Sequence, residues 1–195
     1  MIVKICGITT LEDARAAVEC GADAIGFNFH AKSPRYVTPE TARAIGDGLP
    51  LEVWKVGVFV NEPDVLAIAR RAGLDVVQLH GDEREAPAGI RVWKAFRVSH
   101  DFDSQALAAW NVEAFLLDAP SEHYGGTGKT FDWSRAAMAN GKVIVAGGLD
   151  ASNVARAIEV AKPWGVDTCS RIESTPGRKD KAKMAAFIAA AKATS

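Results

Sequence analysis

Eight short apolar runs recur along the chain, most of them followed by a stretch with helical spacing, and this alternation restricts the fold more than any other feature. The runs are Ile2–Cys6, Ala24–Phe29, Trp54–Val60, Val76–His80, Val92–Val98, Ala114–Asp118, Val143–Ala146 and Val166–Ser170. They are rich in Val, Ile, Leu and Phe and bounded mostly by Gly, Pro or polar residues, as buried strands are. Strands alternating with helices run parallel, because each crossover returns the chain to the same end of the sheet. Eight units of about 24 residues match a closed (β/α)₈ barrel, whereas an open doubly wound sheet has no natural count of eight. The expected architecture is one α/β domain over residues 1–195, a parallel eight-stranded TIM barrel.

The helical stretches carry their own boundary signals. Leu11–Cys20 places Leu11, Ala14 and Val18 on one face with Thr10 as N-cap, and Thr38-Pro39-Glu40 puts proline at a first helical position. Glu62–Ala72, Ser152–Ala161 and Lys179–Ala193 read as helices, and Gly81–Gly89 as a short or irregular one. Gly21-Ala-Asp-Ala, Gly73-Leu-Asp-Val and Gly165-Val-Asp-Thr form a faint repeat, in which a glycine closes a helix and leads into a strand.

Charge and cysteine usage exclude several functions. Lys and Arg total 23 against 24 Asp and Glu, so no basic field exists to hold nucleic acid. The apolar run Met184–Ala191 is far below the roughly 20 residues that span a bilayer, and the start Met-Ile-Val-Lys-Ile-Cys-Gly lacks a signal peptide's pattern, so no membrane partner is expected. Cys6, Cys20 and Cys169 are scattered and odd in number, which fits free thiols in a reducing cytoplasm better than a disulfide framework or a zinc site. No His, Asp and Glu cluster has metal-ligand spacing.

The stretch His123-Tyr-Gly-Gly-Thr-Gly-Lys-Thr130 imitates the end of a phosphate-binding P-loop. A true P-loop requires glycine five residues before Gly128, where His123 stands, and must follow a strand directly. The strand before it ends near Asp118, so no nucleoside triphosphate is expected. A sharp structural turn, with Asp132 capping the next helix, and a glycine-rich loop folding over a ligand are the remaining readings.

In a parallel barrel, chemistry belongs at the C-terminal ends of the strands. There Lys4 and Cys6 share one face of the first strand, and an ammonium beside the thiol would favour the thiolate. A lone cysteine is also a common small core residue. Gln78 and His80 share a face at the end of the fourth strand. Asp118 ends the very apolar Ala114-Phe-Leu-Leu-Asp118, where a carboxylate is costly to bury without partners, although a cap is an equal reading. Gly147-Gly148 and Cys169-Ser170, ending strands seven and eight, suit the phosphate site common there in barrels. Arg35, in Ser33-Pro34-Arg35-Tyr36, offers a planar cation for a carboxylate.

Several stretches together carry a resemblance. Val3-Lys-Ile-Cys-Gly-Ile-Thr9, Ser33-Pro-Arg-Tyr36, Val56-Gly-Val-Phe-Val-Asn61, Val77-Gln-Leu-His-Gly81, Asp118 with Gly125-Gly-Thr-Gly-Lys-Thr-Phe-Asp-Trp133, Gly147-Gly-Leu149 and Pro176-Gly-Arg-Lys-Asp180 run in one order from end to end. In these the chain resembles phosphoribosylanthranilate isomerases, the Amadori-rearrangement enzymes of tryptophan biosynthesis. The resemblance implies Cys6 as general base and Asp118 as general acid, with no metal or other cofactor. It implies substrate contacts from Lys4, Arg35, Gln78, His80, Gly126 and Asp167, and phosphate contacts from Gly147, Gly148, Cys169, Ser170 and Arg171. One stretch departs from the family's Asp-Val-Ser-Ser-Gly-Val-Glu: here it reads Asp167-Thr-Cys-Ser-Arg-Ile-Glu173. Cys169 replaces a hydroxyl, and Arg171 replaces a glycine that lets the backbone approach phosphate closely. Arg171 could bind phosphate by charge or obstruct it. A broader phosphoribosyl isomerase, also taking the histidine-pathway aminoaldose, and a phosphosugar-binding barrel without catalysis are the alternatives.

Overall fold

The structure, a computed structural model, describes residues 1–120 and 130–194. Its order is β1 (Ile2–Ile5), α1 (Leu11–Glu19), β2 (Ala24–Asn28), α2 (Pro39–Gly46), β3 (Trp54–Phe59), α3 (Val65–Ala72), β4 (Val76–Leu79), β5 (Arg91–Arg97), β6 (Ala114–Asp118), α4 (Ser134–Ala137), β7 (Val143–Val145), α5 (Val154–Ala161), β8 (Gly165–Thr168), β9 (Glu173–Thr175), β10 (Arg178–Lys179) and α6 (Lys181–Ala193). Strands β1 to β8 pair in sequence order and close into a parallel barrel, with β1 and β8 joined at Ile2↔Gly165 through Ile5↔Thr168. The expected barrel is the fold observed.

Each strand's alternation sorts its side chains between two layers. Val3 and Ile5 of β1, Phe27 of β2 and Leu117 of β6 face outward and pack with Ala14, Ala17, Phe187 and Ile188 of the helices. Ala24, Val56, Val76, Trp93, Leu116 and Ile144 fill the barrel interior. Trp54, Trp93 and Trp164 form an aromatic cluster with centroids 5.9–6.0 Å apart, the last pair edge-on. Met184, Phe187, Ile188 and Ala191 of α6 are completely buried. Full burial of a large apolar side chain contributes about 1.5–3 kcal/mol.

Capping follows the sequence signals at several ends. Thr10 accepts a hydrogen bond from the Asp13 amide at 3.2 Å, and Thr38 caps α2 with Pro39 behind it. At α4 the N-cap position falls on Trp133 and not on Asp132, which accepts from the Ser134 amide and hydroxyl from one residue earlier.

Three expectations are corrected. The Gly81–Gly89 segment forms no helix. Glu83 instead gathers the loop: its carboxylate accepts from the amides of Asn61 and Gly81 and from the Lys94 ammonium at 2.7 Å, while Pro87 removes a helical donor. Gly165 does not close a helix. Lys162 ends α5 in the left-handed conformation, φ 45°, ahead of Pro163, and Gly165 already pairs in β8. The last helix begins at Lys181, capped by Asp180. Lys179 lies in a hairpin, β9–β10, which turns at Pro176-Gly177 with Gly177 at φ 83°. Among the described residues, no helix is long and apolar enough to cross a membrane.

Candidate active site

The strand ends converge on one pocket of about 820 Å³, counting the space open at its mouth. Cys6, Arg35, Gln78, His80, Asp118, Gly147, Gly148, Asp167, Cys169, Ser170 and Arg171 all line it. The sequence candidates are thus brought together, apart from two. Lys4 lies below the pocket, fully buried in the barrel. Gly126 lies outside the described residues.

The floor is built from the β1–β8 ladder. Lys4 stands opposite Asp167, and its ammonium donates to the carboxylate at 2.6 Å. Burial opposes the Lys4 charge, but Asp167 and Cys6 outweigh it and carry its pKa above the ordinary lysine value. Burial pushes Asp167 up to about 7, with Lys4 holding it back. Gly26 of β2 makes room beside this pair: a Cβ there would sit 2.9 Å from Cys6 Sγ and 3.2 Å from Lys4 Cε.

Cys6 does not become the thiolate that Lys4 alone would favour. Its thiol is pushed well above its usual range by hydrogen bonding to Cys169 and by burial, and Lys4 offsets only part of this. Cys169 is pulled down to about 7, first by that hydrogen bond, with Lys179 and Arg35 adding positive charge against the cost of burial. The sequence expectation considered one ammonium and one thiol; the fold adds a second sulfur and gives Lys4 a carboxylate of its own. The two thiols titrate as a pair.

Across the pocket, Asp118 Oδ1 accepts from the Ala119 amide at 2.8 Å, and Oδ2 lies 3.4 Å from His80 Nε2. His80 Nδ1 is 3.4 Å from Gln78 Nε2. Gln78 Oε1 and His80 Nε2 are buried with no hydrogen-bond partner among the described residues. They therefore present an acceptor and a ring nitrogen to whatever enters. Behind Asp118, Gly147 adopts φ 81°, and a Cβ there would lie 2.5 Å from the Ala119 amide nitrogen and 2.7 Å from Asp118 Oδ1. Gly147→Ala is expected to cost about 1–3 kcal/mol in strain and overlap, read as a lower urea midpoint with unchanged slope. Unchanged stability would mean that the Asp118 support does not require glycine.

The two arginines are less available than expected. Arg35 forks Glu173, with Nε and Nη2 donating at 2.8 and 2.7 Å. Two of its five N–H donors are therefore committed inside the protein. Arg171, half exposed, donates to Asp150 at 2.9 and 2.5 Å, so its charge is directed at a carboxylate on the β7–α5 connection. Glu173, Asp150 and Lys179 were missed in the sequence. Lys179 is buried, with its ammonium 3.1 Å from Glu173, 3.1 Å from the Cys169 carbonyl and 3.8 Å from Cys169 Sγ. The Pro176-Gly177 turn flanked by Glu173 and Lys179 was the available hairpin signal.

Comparison with known proteins places this pocket in context. A family model described as N-(5'phosphoribosyl)anthranilate (PRA) isomerase matches residues 3–190. The N-(5'-phosphoribosyl)anthranilate isomerase of Solibacter usitatus is 59% identical over 198 residues, covering 99% of this chain and 98% of its own. The crystal structure of phosphoribosyl anthranilate isomerase from Thermotoga maritima superposes with a TM-score of 0.90 at 45% identity, covering 99% of this chain and all of its own. A further isomerase structure, in complex with reduced 1-(o-carboxyphenylamino)-1-deoxyribulose 5-phosphate, matches with a TM-score of 0.85 at 42% identity over 99% of this chain and 100% of that one.

Proposed function

We propose the following roles from the premise that this chain belongs to the N-(5'-phosphoribosyl)anthranilate isomerase family. The reaction is the Amadori rearrangement of N-(5'-phosphoribosyl)anthranilate to 1-(2-carboxyphenylamino)-1-deoxyribulose 5-phosphate, a step of tryptophan biosynthesis. The observation that carries the assignment of roles is that Cys6 and Asp118, from β1 and β6, line one pocket.

Asp118 acts as general acid. Its proton goes to the ribose ring oxygen as the C1′–O bond breaks, and the anilino nitrogen lone pair forms the C1′=N bond. His80 Nε2 stands 3.4 Å from its Oδ2. The Cys6–Cys169 pair supplies the base: with one proton shared between two sulfurs, the thiolate can stand on Cys6 and remove the C2′ proton. The C2′–H electrons form the C1′=C2′ bond and neutralise the nitrogen. Ketonisation then delivers a proton to C1′ and releases one from the C2′ hydroxyl. One base and one acid on separate strand ends suit this sequence of proton transfers.

Gly147, Gly148, Cys169 and Ser170 form the side of the pocket suited to phosphate, by the barrel's usual use of its last two strand ends. Arg171 approaches from the same side, with Asp150 competing for its charge. The remaining donors of Arg35, with Gln78 and His80, face the anthranilate end. Lys4 and Asp167 act from beneath, setting the charge under Cys6. We place this activity in one catalytic domain spanning residues 1–195 and in the cytoplasm, a compartment that suits three unpaired thiols.

The test is turnover of freshly generated phosphoribosylanthranilate, followed as loss of anthranilate fluorescence across pH. A thiolate base is active when deprotonated, so kcat/KM should rise with pH over the range in which the Cys6–Cys169 pair loses its protons, a range that extends above the ordinary cysteine value because Cys6 itself is pushed up by Cys169 and by burial. Absence of turnover by the folded protein would overturn the assignment of function. Turnover that is flat through this range would remove the thiol pair from the base role.

A further inference from the structure

The β1–β8 ladder ends at Ile5↔Thr168, and Cys6 and Cys169 are the next residue on each strand. The Cys6 amide donates to the Thr168 carbonyl at 2.9 Å, the bond that completes the Ile5↔Thr168 pair and holds Cys6 beside the end of β8. Lys4 and Asp167, two residues earlier on each strand, meet across the same ladder at 2.6 Å on the barrel's inner face. Cys6 continues that face, and although Cys169 leaves the extended conformation at φ -139°, ψ -84°, its thiol comes within hydrogen-bonding reach of the Cys6 thiol. Both sulfurs are tightly placed: a Cβ at Gly7 would lie 2.8 Å from Cys169 Sγ, and one at Gly26 would lie 2.9 Å from Cys6 Sγ. The two residues line the open pocket, so a small oxidant that enters it meets both.

From this we infer that Cys6 and Cys169 form a reversible disulfide when the protein meets a hydroperoxide, a covalent modification that removes the catalytic base. Its effect on turnover rests on the reading of Cys6 given above, whereas the linkage rests on the contact between the two thiols and their shared pocket. The Cys169 thiolate, with the Lys179 ammonium 3.8 Å from its sulfur, attacks the peroxide. An S–O bond forms, the O–O bond breaks, and the departing oxygen leaves as alcohol or water after taking a proton. The Cys6 sulfur then gives up its proton and attacks Cys169. The S–S bond forms, and hydroxide leaves as water. Two electrons pass from the sulfurs to the peroxide, so two thiols and one hydroperoxide give one disulfide, one water and one alcohol. A neighbouring thiol that resolves the sulfenic acid also shields the site from irreversible oxidation.

The experiment treats the full chain with hydrogen peroxide, quenches by alkylation and maps the peptides by mass, with turnover measured before and after dithiothreitol. The expected result is a Cys6–Cys169 peptide pair lighter by two hydrogens and turnover reduced by about tenfold or more, both reversed by the reductant. Cys20→Ser, which removes the exposed third thiol, should behave as the wild type does. Cys169→Ser, compared with its own untreated rate, should lose turnover that dithiothreitol does not restore. Absence of the linked pair in treated wild type would overturn the inference. A linked pair with full turnover would leave the disulfide standing and overturn the shut-off, together with Cys6 as base.

Discussion

Cys6→Ser is expected to lower kcat by about 10²–10⁴-fold with little change in KM, the usual contribution of a positioned acid or base. Serine keeps the volume close to that of cysteine and fits beside Gly26, where space is short. Its hydroxyl ionises far above neutral pH, so it cannot supply the base. Asp118→Asn should produce a drop of the same order by a different route. The amide can still accept from the Ala119 amide as Oδ1 does, which keeps the loop in place. It has no proton acidic enough to transfer as the ribose ring opens. Because the two groups act on one substrate in succession, the double variant should lose much less than the product of the single losses. Steady-state kinetics on the three variants decides the matter. A kcat within a factor of about three of wild type for either single variant would remove that residue from the chemistry, since such a factor is below 1 kcal/mol.

Lys4→Met should have the largest effect on stability. The ammonium and the Asp167 carboxylate meet at 2.6 Å, with the lysine side chain fully buried and the aspartate nearly so. Removing one partner of a buried pair typically costs about 3–5 kcal/mol, because the other is left without compensation. For a chain of this size that corresponds to a fall in Tm of roughly 6–20 °C. The penalty should depend on pH. Burial already carries Asp167 up to about 7 with Lys4 beside it, and without Lys4 it rises further. A carboxyl whose folded pKa lies above its unfolded one favours the folded state when protonated, so Lys4→Met should recover stability as pH falls through that raised value and lose it as pH rises. Lys4→Met with Asp167→Leu should recover most of the loss at neutral pH, by replacing both charges with apolar groups. Thermal melts across pH provide the check, and a Lys4→Met penalty below about 1 kcal/mol would mean that the pair contributes no more than a surface one. The same variant removes positive charge near Cys6, which disfavours the thiolate, so the rising limb of its rate profile should move to higher pH.

The strands were legible because their signal is local. Alternation within Ile2–Ile5 and Val76–Leu79 depends on neighbouring residues only, and it put Lys4 with Cys6, and Gln78 with His80, on common faces before any contact was known. Helix starts at Thr10 and Thr38 were legible for the same reason, since a cap and the amide it serves lie three residues apart. The Gly81–Gly89 segment reads locally as a short or irregular helix because its organiser is a long-range contact that local spacing does not show. Lys94 on β5 draws Glu83 into the loop, and the carboxylate satisfies amides that a helix would otherwise have bonded.

By itself the sequence determined the strand–helix alternation, the count of eight and which residues of a strand share a face, all of which follow from periodicity between near neighbours. It also placed Cys6 and Asp118 at strand ends. Only the tertiary structure decided what those residues face. Closing the barrel brings β8 beside β1, so that Lys4 meets Asp167 across 163 positions and the Cys6 thiol meets that of Cys169 just beyond the strand ends. The hairpin after β8 returns Glu173 to Arg35 across 138 positions. The physical reason is that the register of a closing pair is set by packing around the whole ring. Which charge neutralises another, and which sulfur holds the proton, depends on that register.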